Sequence, residues 1–217
     1  MLKSSPLKVA PEDSSEASFQ DRISPLSEAL IAAGRFFDRR GWVPATGGNF
    51  SARLSPDRVL ITASGVHKGE LEADDLLVAD LDGCPLGTAR KASYETGLHM
   101  QLYRHDAAIG AVLHVHSVAN TVLSRRLGSV VLKDYELQKL LPGKPEPDSV
   151  VEVPVFANDQ NIARLADRID AWMIEHPATP AYLIAGHGLY AWGASVGEAR
   201  YRVEALELMF ECELWNR

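Results

Sequence analysis

Two periodicities alternate along the chain. Short runs with apolar residues continuous or at every second position read as strands at 49–54, 58–62, 76–80, 112–116, 130–132, 151–156, 181–185 and 189–193. Between them the spacing lengthens to that of amphipathic helices. Leu26, Leu30, Ala33 and Phe37 share one face of a first helix, with Ser24 as its cap, Pro25 at its first position and Gly41 as its stop. Ser93 is placed to cap a helix from Tyr94 to Tyr103, and Ser117 one from Val118 to Arg125. Asn158 is placed to cap one carrying Ile162, Leu165, Ala166 and Ile169. A last helix, Val196 to Leu214, buries Ala199, Val203, Leu206 and Phe210. Strands and helices mix without strict βαβ alternation, and hairpin-like neighbours recur, as at the Asp82-Gly83 turn. The expected fold is α/β: a three-layer α/β/α sandwich over a largely antiparallel central sheet. Residues 1–22, rich in Ser, Pro and acidic side chains, read as a flexible tail, and 23–217 as one domain.

Composition narrows the classes of function. The 217 residues are 46% hydrophobic, enough for a substantial core, and the formal net charge is -7 with no long basic run. Nucleic acid and anionic membranes are therefore poor partners. Cys84 and Cys212 are far apart, without CxxC spacing, which fits free thiols in a reducing cytoplasm. No apolar run has the length of a membrane span, and a cytoplasmic location is expected.

The candidate chemistry centres on Val112-Leu113-His114-Val115-His116-Ser117. In a strand, His114 and His116 project to the same side, within a stretch that otherwise looks buried on both faces. Zinc takes neutral imidazole nitrogens in a small tetrahedral set. Two residues alone do not separate a metal pair from a pair of hydrogen-bonded histidines. His187, bracketed by Gly186 and Gly188 between two apolar β runs, supplies a third corner at the tight end of a hairpin. Two loops, Thr46-Gly47-Gly48-Asn49-Phe50-Ser51 and Ala63-Ser64-Gly65-Val66-His67-Lys68-Gly69, offer backbone amides, hydroxyls and a lysine to an anion, although each alone is also ordinary turn chemistry. Glu95 falls in the first turn of a helix, where an acid is favourable to the dipole. His67 and His99 carry no ligand signal of their own, and Glu136 with Lys139 reads most simply as an i,i+3 surface pair.

Taken together, these segments resemble the class II aldolase/adducin family. The matching pieces are Thr46 to Ser51, Ile61-Thr62-Ala63-Ser64-Gly65, Ser93-Tyr94-Glu95 with Leu98-His99, His114-Val115-His116-Ser117 and Gly186-His187-Gly188, in the family's order across roughly residues 24–216. The resemblance implies one zinc ion per subunit on His114, His116 and His187. It also implies a ketose phosphate held by Gly48, Asn49, Ser64, Gly65, Lys68, Ser93 and Lys139. Within the family, Tyr135-Glu136-Leu137-Gln138-Lys139, Val153-Pro154-Val155 and the segment from His187 to Gly193 resemble the dehydratase branch, which acts on a methylthio-substituted pentulose 1-phosphate in methionine salvage. For that branch the resemblance implies Glu136 as principal acid/base. Glu95 matches the proton-transfer glutamate of the aldolases. A homotetramer with active sites near subunit boundaries is the implied assembly. Two departures from the aldolases stand out: Tyr94 replaces a small hydroxyl residue, and only one helix follows His187. The alternatives left open are a sugar-phosphate aldolase or epimerase using the same site, and a non-catalytic, adducin-like interaction module.

Overall fold

The computed structural model describes residues 14–143 and 145–216, with side chains described from residue 21 onward. Residues 1–13 of the expected tail lie outside the described residues. The strands are β1 (Asn49–Ser55), β2 (Arg58–Thr62), β3 (Leu76–Asp80), β4 (Ala111–Val115), β5 (Ser129–Leu132), β6 (Val151–Phe156), β7 (Ala181–Ile184) and β8 (Gly188–Gly193). They form one sheet in the order β3-β2-β1-β4-β8-β7-β6-β5. Among the described residues only β6 and β7 pair in parallel. The helices are α1 (Ser14–Arg39), α2 (Thr96–His105), α3 (Val118–Arg126), α4 (Ile162–Glu175) and α5 (Val196–Trp215).

Side-chain alternation divides the core in two. On β4, Ala111, Leu113 and Val115 join the apolar cluster that holds Phe37 of α1, Leu123 of α3 and Leu206 of α5. Val112 joins the opposite cluster, with Leu98 of α2 and Ile169 of α4. The three-layer sandwich over a mostly antiparallel sheet is the observed architecture. Its period of two also decides where the chemistry goes, since His114 has the parity of Val112 and faces α2. Among the described residues no helix is long and apolar enough to cross a membrane. Both cysteines are exposed free thiols.

Three expected helix starts move. Instead of beginning at Pro25, α1 runs from Ser14 straight through it. Pro25 lacks an amide proton and leaves the carbonyl four residues back without its helical bond. Asp21, Arg22, Ser24 and Pro25 are all exposed, so water can take that carbonyl and the defect is tolerated. The cap of α4 is Asn161, whose side chain accepts the Arg164 amide, rather than Asn158. Ser93 Oγ accepts the Glu95 amide in a tight turn, and α2 itself begins at Thr96.

Candidate active site

β4 is flanked by β1 and β8, and the register sets Asn49 opposite His114 and His114 opposite Tyr190. Tyr182 on β7 lies opposite Tyr190, so the four form one row across the sheet on its α2 face. The rings follow that row: His114 stacks on Tyr190 at 3.9 Å between centroids, and Tyr190 on Tyr182 at 4.9 Å. His116 lies just past the end of β4, and His187 occupies the β7–β8 turn between Gly186, at φ +63°, and Gly188. Gly188 is required by crowding. A Cβ there would stand 2.4 Å from the Val115 carbonyl oxygen, 2.7 Å from His114 Cε1 and 2.9 Å from His116 Cδ2.

These elements bring Glu95, His114, His116 and His187 together, with one ligand atom from each within 4.8 Å of the others. His114 Nε2 and His116 Nε2 approach to 2.7 Å. His114 Nδ1 donates to the Leu189 carbonyl at 2.9 Å, which leaves the Nε2 lone pair aimed at the cluster. Glu95 Oε1 lies 3.0 Å from His187 Nε2, and Oε2 lies 3.4 Å from His114 Nε2. Burial keeps His114 neutral, well below the usual imidazole range, and lowers His116 to about 4. For Glu95, burial would raise the carboxyl, but the imidazoles of His114 and His187 and the Asn49 amide outweigh it and hold the group as an anion. Neutral imidazoles with oriented lone pairs beside a carboxylate are the donor set that a divalent transition metal takes, so the residues fit a bound metal ion.

The cluster opens into a cleft of about 350 Å³ whose walls include Gly48, Asn49, Ser64, Gly65, Lys68 and Ser93. Both expected anion loops therefore meet over the histidines. A larger hollow of about 440 Å³, lined by Leu141, Pro142, Trp172 and Pro177 among others, shares no residue with this cleft and holds no such cluster. Lys68 is almost fully buried, and its ammonium donates to the carbonyls of Thr46 and Val66 at 2.9 and 2.6 Å, which accounts for two of its three protons. Desolvation lowers it to about 8 against the pull of Glu95 and Asp75. The Asn49 amide turns toward the carboxylate, donating to Glu95 Oε2 at 2.7 Å and Ser93 Oγ at 3.1 Å.

Glu136 and Lys139 are not brought to this cleft within their own chain. They sit on an exposed 3-10 turn, Glu136–Leu140, paired at 2.6 Å. Two further features escaped the sequence reading. Asn158, Asp159 and Gln160 form part of the cleft wall, and Tyr94 reaches across to donate to the Gln160 carbonyl. The clue was the polar run Asn158-Asp159-Gln160-Asn161, longer than a cap needs. His99 is fully buried behind Asn49, and nothing in its helical spacing signalled that neighbour.

Residues 28–214 match the family model described as Class II Aldolase and Adducin N-terminal domain. The chain belongs to this class II aldolase and adducin family. Its relatives include the methylthioribulose-1-phosphate dehydratase of Pseudomonas aeruginosa (strain UCBPP-PA14), 55% identical over 196 residues, covering 89% of this chain and 96% of that one. The Azotobacter vinelandii protein of the same name is 53% identical over 194 residues, covering 88% and 94%. Among solved structures, L-fuculose-1-phosphate aldolase from Thermus thermophilus superposes with a TM-score of 0.74 at 30% identity, covering 90% of this chain and 96% of that one. The family fold and the Glu/His cluster thus coincide in one molecule.

Proposed function

We propose that this chain is a zinc-dependent dehydratase, converting 5-methylthioribulose 1-phosphate to 5-methylthio-2,3-dioxopentyl phosphate in the cytoplasm as a step of methionine salvage. The observation that carries the reading is the convergence of His114, His116, His187 and Glu95 on the floor of the cleft formed by the two glycine loops. Relatives bearing the dehydratase name over nearly their whole length support it.

His114, His116 and His187 would hold the ion, which supplies Lewis-acid polarisation of the C2 carbonyl and so acidifies the proton at C3. Lys68, with the backbone of Gly48 and Gly65, offers positive charge and N–H groups to the phosphate. A carboxylate takes the C3 proton, the C4 hydroxyl is protonated and leaves as water, and the resulting enol ketonises to the diketone. Glu95 is ill-suited to be the principal base. The Asn49 amide donates to its Oε2 at 2.7 Å and makes the carboxylate a weaker base, so it serves to orient groups at the cluster. The acid/base role falls to Glu136. Because Glu136 is exposed and outside its own cleft, it acts in the cleft of a neighbouring subunit of a homotetramer.

The test is metal analysis of purified protein, followed by incubation with the substrate while diketone formation is read by ultraviolet absorbance. About one zinc per chain and metal-dependent product are expected. The fold shared with L-fuculose-1-phosphate aldolase supports a second reading, a sugar-phosphate aldolase. Cleavage of a ketose phosphate to an aldehyde and dihydroxyacetone phosphate, with no diketone, would establish it instead.

A further inference from the structure

Behind the cluster runs a buried line of polar groups that the proposed reaction does not use. Tyr103 hydroxyl lies 2.8 Å from Ser51 Oγ, and Ser51 Oγ 2.7 Å from His99 Nδ1. His99 Nε2 meets Asn49 Oδ1, and Asn49 Nδ2 meets Glu95 Oε2. Ser51 and His99 are fully buried, and Asn49 and Tyr103 are 2% exposed, so bulk solvent does not reach them.

The carboxylate end sets every direction in this line. An ionised Glu95 only accepts, so Asn49 must present its NH₂ group to it and its carbonyl oxygen to His99. That oxygen needs a donor, which places the His99 proton on Nε2. Nδ1 then accepts from the Ser51 hydroxyl, whose oxygen accepts from Tyr103. All donors point toward Glu95, and such chains reinforce one another in a low-dielectric interior. An Asn amide turned over would set its oxygen against the carboxylate and its NH₂ against a ring N–H, losing two bonds at once.

We propose that His99 is a positioning residue. From inside the core it fixes the rotation of the Asn49 amide, and through it the orientation of the Glu95 carboxylate toward the histidine cluster. The role for turnover rests on the dehydratase reading above. The geometry it sets does not, and it is measured without substrate.

The first experiment is nitrogen NMR of the ¹⁵N-histidine-labelled, zinc-free protein, with the His99 signals identified by their loss in His99→Gln. A single Nε2-protonated tautomer is expected. An Nδ1-protonated ring or a rapidly exchanging mixture overturns the proposal. The second compares His99→Gln, whose amide can still donate to Asn49 Oδ1, with His99→Leu, which fills the space and donates nothing. Zinc affinity, read by chelator competition, is expected to weaken about tenfold in His99→Leu and to stay near wild type in His99→Gln. The same ranking is expected in kcat, with KM little changed. Equal losses in the two variants would assign His99 to packing alone and end the proposal, as would wild-type zinc affinity in His99→Leu. A wild-type protein that fails to dehydrate the substrate counts against the functional reading only.

Discussion

Replacing Gly188 by Ala tests how tightly β4 and β8 hold the proposed metal ligands. The added methyl would sit 2.4 Å from the Val115 carbonyl oxygen and under 3 Å from both His114 Cε1 and His116 Cδ2. One contact is backbone inside a paired ladder and the other two are rings, so nothing nearby is the free end of a flexible side chain. Overpacking of this kind costs about 1–3 kcal/mol. For a domain of this size 2 kcal/mol corresponds to a fall in Tm of about 4–8 °C. The strain also lands on the two ligand rings, so zinc affinity should fall by about 10- to 100-fold, the range seen when ligand orientation is lost. Calorimetry and chelator competition read the two effects. Gly128→Ala is the control, because no atom lies within 4 Å of its Cβ position and its φ is not in the left-handed region. A Gly188→Ala protein with wild-type Tm and wild-type zinc affinity would refute the argument that glycine at this position spaces the ligands.

Further outcomes are expected. Glu136→Gln should keep its zinc and lose about 100-fold or more in turnover, and His116→Ala should lose its zinc while keeping its fold. Oligomers reassembled from a mixture of these two inactive chains should regain part of the activity if Glu136 serves a neighbour's cleft; no recovery on mixing would place both roles in one chain. Glu207, buried on α5 against Ser117 and Asn120, is raised to about 7 by burial, which the two hydrogen bonds only partly offset. Between its ordinary value of 4.5 and about 7 the native chain therefore holds a proton that the unfolded chain has released. The stability linked to this site is fully present below that window and is lost as pH rises through it, by an amount on the order of 3 kcal/mol. Denaturant titrations across pH should show the slope, and Glu207→Gln should flatten it. Lys68 loses its proton near pH 8, so KM for the phosphate substrate should climb above that pH while zinc content stays constant.

Much of the fold was legible because its signals are local. Alternation marked all eight strands, since a strand between two helical layers must be apolar on the faces it buries. Ser117 caps its helix because an oxygen at that position satisfies a free amide whatever surrounds it. Local rules misplaced the start of α1, because the same Pro25 that opens a helix in isolation is tolerated inside one whose proline face meets water. They also could not separate Asn158 from Asn161 as a cap, since both are good N-cap residues and only the turn geometry selects one.

The site divides in the same way. The sequence by itself determined the pairing of two imidazoles on one strand face, because a period of two puts His114 and His116 on the same side regardless of the rest. It also determined the glycines that let His187 occupy a tight turn. Only the tertiary structure decided that β8 would lie beside β4 and carry His187 to them, and that β1 would bring Asn49 level with His114. It alone turned Glu95 away from its helix dipole and into the cluster, placed His99 behind Asn49, and left Glu136 outside its own cleft. Those outcomes rest on contacts between residues dozens of positions apart, and the spacing within any one segment carries no information about them.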